Sequence, residues 1–182
     1  MRLLLTVVLL SAVFHSSAFA GPPDGGHKLR PQDARIIQAI KEGSARSATF
    51  KALIDRIEAS DVIVYVAINP LIKSTLSGAL TWMTHAGDFR YVRASIAPDL
   101  PFDHMIAAVA HELHHAVEVI DDASVVDEKS LVAMYKKIGL PSRAAGDSGW
   151  ETVAAQRTGT QVRRELVAAP TRVMARASAS QS

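Results

Sequence analysis

The chain has 182 residues, 48% of them hydrophobic and 21% charged, a size and composition that fit one ordinary globular domain. It has no cysteine, which excludes disulfides, thiolate metal sites and a cysteine nucleophile, so any metal must be held by nitrogen and oxygen. The formal charge is only +2 and basic and acidic residues are interleaved, so no nucleic-acid footprint is present.

Residues 1–20 have the pattern of an export signal: Arg2 is a short positive start, Leu3 to Phe14 is apolar, and Ala18-Phe19-Ala20 is a small-x-small cleavage site. The apolar run is short for a membrane span. The expectation is a chain processed before Gly21, secreted or periplasmic, without stable membrane insertion. Gly21 to Gln32 combines Gly, Pro and charged residues with little to bury, as a flexible arm would. From Asp33 onward Ile36, Ile37 and Ile40, then Phe50, Leu53, Ile54 and Ile57, recur at helical spacing and predict two helices divided at Gly43-Ser44. Asp61 to Ile68 is a β-branched run closed by Asn69-Pro70, which predicts a buried strand. Ala79 to Ile96 predicts a hairpin turning at His85-Ala86-Gly87-Asp88, and with the preceding strand a three-stranded antiparallel sheet.

The segment Ala97 to Pro101 ends the extended region, and Asp103 stands where an N-cap would start the longest helix, which runs to Ile120. Its apolar face, with Ile106, Val109, Ala110, Leu113, Val117 and Ile120, predicts burial beneath the sheet. Asp127 to Ile138 and Gly149 to Val167 predict two further amphipathic helices, and residues 169–182, rich in Ala, Ser, Arg and Thr, an unstructured tail. The expected fold is α+β, predominantly helical with a small antiparallel three-stranded sheet, in one domain over residues 33–168.

The long helix carries His111-Glu112-Leu113-His114-His115. Residues four apart on a helix are separated by about 40° in azimuth and about 6 Å along the axis, so the imidazoles of His111 and His115 project side by side and can reach one ion. Zinc takes such ligands tetrahedrally and keeps a position for water at catalytic sites, so a third protein ligand is required. Glu112, about 100° round from His111, sits beside the ion and can act as general base.

These residues resemble the zincin metallopeptidases, whose HExxH signature stands here as HELHH. The resemblance implies a minimal zincin-like core, one zinc ion, His111 and His115 as ligands, Glu112 as catalytic base, and hydrolysis of a peptide or protein substrate. Two glutamates compete for the third ligand position. Glu118 follows His111 by seven residues on the same stripe, where three ligands from one straight helix suit a tetrahedral ion poorly and orientation of an imidazole N–H suits the spacing better. Glu151 opens a later helix, and a glutamate on a later helix is what the gluzincin branch uses. The chain departs from the astacin and matrix-metalloprotease pattern, since Glu118 and Asp121 stand where that pattern has its glycine and third histidine. Tyr135 is weighed as an oxyanion donor against simple packing, while His114 and Trp82 read as packing residues. The competing readings are a zincin-like metal-binding adaptor or inhibitor without turnover, and a zinc amidase acting on cell-wall substrates.

Overall fold

The structure, a computed structural model, describes residues 26–142 and 149–169. The expected signal segment, the first part of the arm and nearly all of the expected tail lie outside the described residues. In chain order the elements are β1 (Leu29–Pro31), α1 (Ala34–Arg46), α2 (Ala48–Glu58), β2 (Val62–Ile68), β3 (Gly78–Ala86), β4 (Phe89–Ile96), α3 (Phe102–Asp121), α4 (Glu128–Ile138), β5 (Leu140–Pro141), β6 (Trp150–Glu151) and α5 (Val153–Ala168). None of the described helices is long and apolar enough to cross a membrane.

The expected three-stranded antiparallel sheet is not what forms. The main sheet has four strands in the order β1-β2-β4-β3, and a separate two-stranded ribbon joins β5 to β6. The β3–β4 hairpin is antiparallel, with Gly87 at φ 58° in its turn, but β4 pairs with β2 in parallel, from Val62 opposite Arg90 to Ile68 opposite Ile96. The physical reason is burial. Tyr91, Val92, Ala94 and Ile96 make β4 the strand with more apolar surface to hide, so it takes the interior position between β2 and β3. β3, more polar and more exposed, is left at the edge. Hairpin adjacency reveals who follows whom, not which member of the hairpin meets the earlier strand.

Part of the stretch expected as an arm also enters the sheet. Leu29–Pro31 pairs in parallel with β2, and the Glu58 carboxylate accepts from the amides of Lys28 and Leu29 at 3.0 and 3.2 Å, which joins the strand to the end of α2. The break between the first helices falls at Ser47, whose hydroxyl caps α2 by accepting from the Phe50 amide at 3.0 Å. Gly43 lies inside α1 instead, packed against Ile106 and Phe50.

Helix α3 is the centre of the molecule. One flank meets β2, β3 and β4, and its other sides meet α1, α2 and α5. Met105, Ile106, Val109, Ala110, Leu113 and Val119 are wholly buried, so a fully buried side chain at each larger position contributes about 1.5–3 kcal/mol of transfer free energy. Pro101 rather than Asp103 is the N-cap residue, and Asp103 in the first turn pairs with Arg46 at 2.8 Å. At the other end no basic residue lies in the last turn. Arg90, only 3% exposed, takes that role: it donates to the carbonyls of Val119 and Asp122 at 2.7 and 2.9 Å and holds the Asp61 carboxylate with two further bonds. One guanidinium thus joins the start of β4, the entry to β2 and the C-terminus of α3, where positive charge is favourable.

Helix α5 is attached to α2 by Glu165, which accepts from the hydroxyls of Ser47 and Thr49 and from the Thr49 amide at 3.1 Å. Burial raises the carboxyl pKa, but these bonds outweigh it and bring Glu165 down to about 2. A depressed folded-state value contributes stability that is present above the ordinary value near 4.5 and lost as pH falls toward 2. Glu165→Gln is expected to lower the melting temperature at neutral pH by roughly 2–4 °C, the size of one cap interaction in a chain of this length. It should also reduce the loss of stability between those two pH values, measured by thermal unfolding across an acid series.

Candidate metal centre

Helix α3 is covered on one flank by the sheet and on another by α5, and His111 and His115 lie on the stripe between β3 and the β6–α5 junction. His111 is partly buried there and His115 is 5% exposed, their rings edge to face with centroids 5.0 Å apart. Glu151 reaches them from the last residue of β6. The strand placement corrects the expectation that Glu151 begins a helix: Thr152 is the N-cap of α5, its hydroxyl accepting from the Ala155 amide at 3.1 Å, and the chain through Glu151 is extended. The extended backbone turns the side chain back onto α3.

There the Glu151 Oε2 lies 3.2 Å from His111 Nε2, and its Oε1 lies 3.5 Å from His115 Nε2. A tetrahedral ion with bonds of about 2.0–2.2 Å has ligand–ligand edges of about 3.4 Å. One ligand atom from each of the three residues falls within 4.8 Å of the others, so His111, His115 and Glu151 could hold a metal ion. Nitrogen and carboxylate donors in this number leave a fourth position toward the cavity.

Glu118, the competing candidate, faces the other side of His115. Its Oε2 is 2.7 Å from His115 Nδ1, so with Nδ1 protonated the carboxylate accepts its hydrogen bond and Nε2 is left directed toward Glu151. Its Oε1 accepts from the Thr152 hydroxyl at 2.6 Å. A single carboxylate therefore orients one histidine and anchors the residue next to Glu151. Thr152 is buried and was not anticipated from the sequence; its use as a helix cap is the one local signal it carries. His114 bonds to Thr158 of α5 at 3.0 Å and serves to join the two helices.

Charge in this cluster is tightly coupled. Burial disfavours the imidazolium of His115, yet the hydrogen bonds to Glu118 and Glu151 and the charge of Glu112 outweigh it and push its pKa up to about 10. Glu151 goes the other way: burial raises it, but bonds to both imidazoles hold it well below the usual carboxylate range.

Glu112 is 3% exposed and its Oε2 has no hydrogen-bond partner among the described residues. Burial raises its pKa, opposed in part by the charges of His115 and His111. It is covered by β3, and Gly78 makes this possible: a Cβ on Gly78 would stand 2.5 Å from the Glu112 Oε1 and 2.8 Å from its Cγ. Gly78 lies one residue before the expected hairpin and was not singled out there. Tyr135 stacks edge to face on His115, centroids 5.5 Å apart, and its buried hydroxyl is the other orphaned polar atom. Glu112 and Tyr135, the residues that carry these atoms, line a cavity of about 290 Å³ with His111, His115, Glu151 and Trp82. Unpartnered buried oxygens beside a convergent donor set are what a metal with its water would satisfy, so the residues fit the group. Trp82, expected to pack, does so in part and also forms a wall of this cavity.

Compared with known proteins, the chain matches no family model, no curated protein and no solved structure.

Glu151→Ala is expected to weaken metal binding more than Glu118→Ala, with Glu118→Ala costing about 10–100-fold in affinity, the usual effect of removing a residue that orients a ligand. Calorimetric zinc titration of the two variants checks the order; the reverse order would make Glu118 the ligand.

Proposed function

We propose that the protein is a zinc-dependent hydrolase of peptide bonds, with His111, His115 and Glu151 holding the ion and Glu112 as general base. The observation that carries this reading is the position of Glu112: a buried carboxylate with an unsatisfied oxygen, in the same cavity as the three donors. A site that only held a metal for stability would have no use for a further carboxylate with an unpartnered oxygen, kept at such cost in desolvation.

When bound, zinc supplies Lewis acidity, polarising a substrate carbonyl and making a water molecule more acidic. The chain's own residues do the rest. Glu112 accepts the proton that water gives up on attacking the carbonyl carbon, and carries it to the departing nitrogen. Its burial favours the protonated form, which suits it to accept that proton. Tyr135, whose buried hydroxyl lacks a partner among the described residues, would donate to oxygen charge as it develops in the cavity. Glu118 keeps His115 oriented, so the donor set needs no rearrangement during reaction.

Edge strand β3 supports a peptide as the substrate. Gly78 to Trp82 line the cavity, and the side of β3 away from β4 has no strand neighbour in the sheet. An extended chain laid along it would gain backbone hydrogen bonds and bring its carbonyls past the metal donors.

Elemental mass spectrometry of the purified protein tests the first half of the reading: about one zinc per chain, absent in His115→Ala, is expected. Hydrolysis of a peptide library tests the second. Glu112→Gln should retain zinc and lose about 10²–10⁴-fold in kcat. Gly78→Ala, which crowds Glu112 without touching a ligand, should lower kcat while zinc content stays at the wild-type level. A Glu112→Gln protein as active as the wild type would sink the mechanism.

A further inference from the structure

The cleft does not end at the metal donors. A second cavity of about 540 Å³ meets the first at Leu76, Gly78, His111, Glu112 and Glu151 and runs toward the N-terminal end of α3. Its far end carries His104 of α3 and Arg163 of α5, both exposed, with Arg163 Nη2 donating to His104 Nε2 at 3.0 Å. The nearby carboxylates are already engaged elsewhere: Asp103 with Arg46, Glu165 with Ser47 and Thr49. Among the described residues the cavity therefore ends in a guanidinium whose charge no adjacent acid takes up, next to an imidazole whose other nitrogen can donate.

A peptide could pair with β3 in either direction, and the positive charge at the far end of the second cavity favours the antiparallel one, which brings the C-terminus there. A chain paired antiparallel to β3 runs from Trp82 toward Gly78, and the cavity holding His104 and Arg163 is lined by Thr75, Ser77 and Gly78, at and before the start of β3. The C-terminal part of the substrate thus lies in this cavity. His104 precedes His111 by seven residues, which places it on nearly the same stripe of α3 and about 10 Å along the axis. An extended peptide covers about 3.3–3.6 Å per residue, so about two or three residues bridge that distance.

Resting on the peptidase reading, we infer that His104 and Arg163 bind the free C-terminal carboxylate of the substrate. The cleft then releases di- or tripeptides from chain ends rather than cutting long chains internally. A bidentate guanidinium–carboxylate contact supplies both the affinity and the register.

The test separates this inference from the peptidase reading by measuring binding in a form that does not turn over. The full chain carrying Glu112→Gln, loaded with zinc, is titrated with an N-acetylated hexapeptide of alanine and leucine, either as the free acid or as the C-terminal amide. Fluorescence of Trp82 and Trp150 reports binding, since the chain has two tryptophans and both line the cleft. The acid is expected to bind roughly tenfold or more tighter than the amide. Arg163→Gln, and separately His104→Gln, should bring the acid to the affinity of the amide. Equal affinities, no binding of either peptide, or a preference that survives both substitutions would overturn the inference.

Product analysis with the zinc-loaded wild type separates the remaining outcomes. Release of pieces two or three residues long from the C-terminus is expected. Cleavage at internal bonds regardless of distance from the end would overturn the clamp and leave the peptidase reading standing. Acid-selective binding without any hydrolysis would support the clamp and sink the peptidase reading.

Discussion

His115 lies within the most buried helix of the molecule, and a histidine there needs partners on both nitrogens. Glu118 supplies one from a turn further along α3, and Glu151 supplies the other from the end of β6. Much of the architecture around the site can be traced to that requirement. The β5–β6 ribbon holds Glu151 in an extended conformation facing α3, and the cap of α5 follows immediately in Thr152, whose hydroxyl returns to Glu118. Ligand, orienting carboxylate and helix cap thus form one connected network. Unpaired, any member would carry the full penalty of a buried polar group.

The apolar core makes such a network affordable. Met105, Ile106, Val109, Ala110 and Leu113 pack toward the sheet and the first two helices, while Arg90 secures the C-terminal end of α3. A helix held at both ends and along several sides keeps its imidazoles at a fixed separation, so little ordering is left for a ligand to impose. The same burial raises Glu112 and leaves its Oε2 and the Tyr135 hydroxyl without partners. Orphaned polar atoms are uncommon in native interiors, and the residues that carry these two line one cavity with the metal donors. Unpartnered buried oxygens cost stability, and polar atoms kept at such a cost are the pattern expected at a functional site.

Much of this was readable before any coordinates. The 3.6-residue period placed α3 and put His111 and His115 on one face, since that follows from helix geometry alone. The hairpin and its glycine turn were equally local. Glu118 as an orienting residue followed from its seven-residue offset from His111. Local boundaries shifted at Ser47, Pro101 and Glu151, and the larger failures were long-range. The parallel pairing of β2 with β4 was missed because alternation marks a strand but not its neighbour, and Leu29–Pro31 was read as part of an arm because three residues have no period to display.

The sequence by itself determined the helix that bears the site, the spacing of its histidines and the offset of Glu118, because these depend on contacts within a few residues along the chain, whereas Glu151 was singled out through the resemblance to the zincins. Tertiary structure alone decided that Glu151 meets both imidazoles, that Gly78 makes room for Glu112, and that Arg163 closes the far end of the cleft beside His104. Each of those joins residues about thirty to sixty positions apart, brought together by burial of apolar surface that has no preference of its own for which polar groups it places side by side.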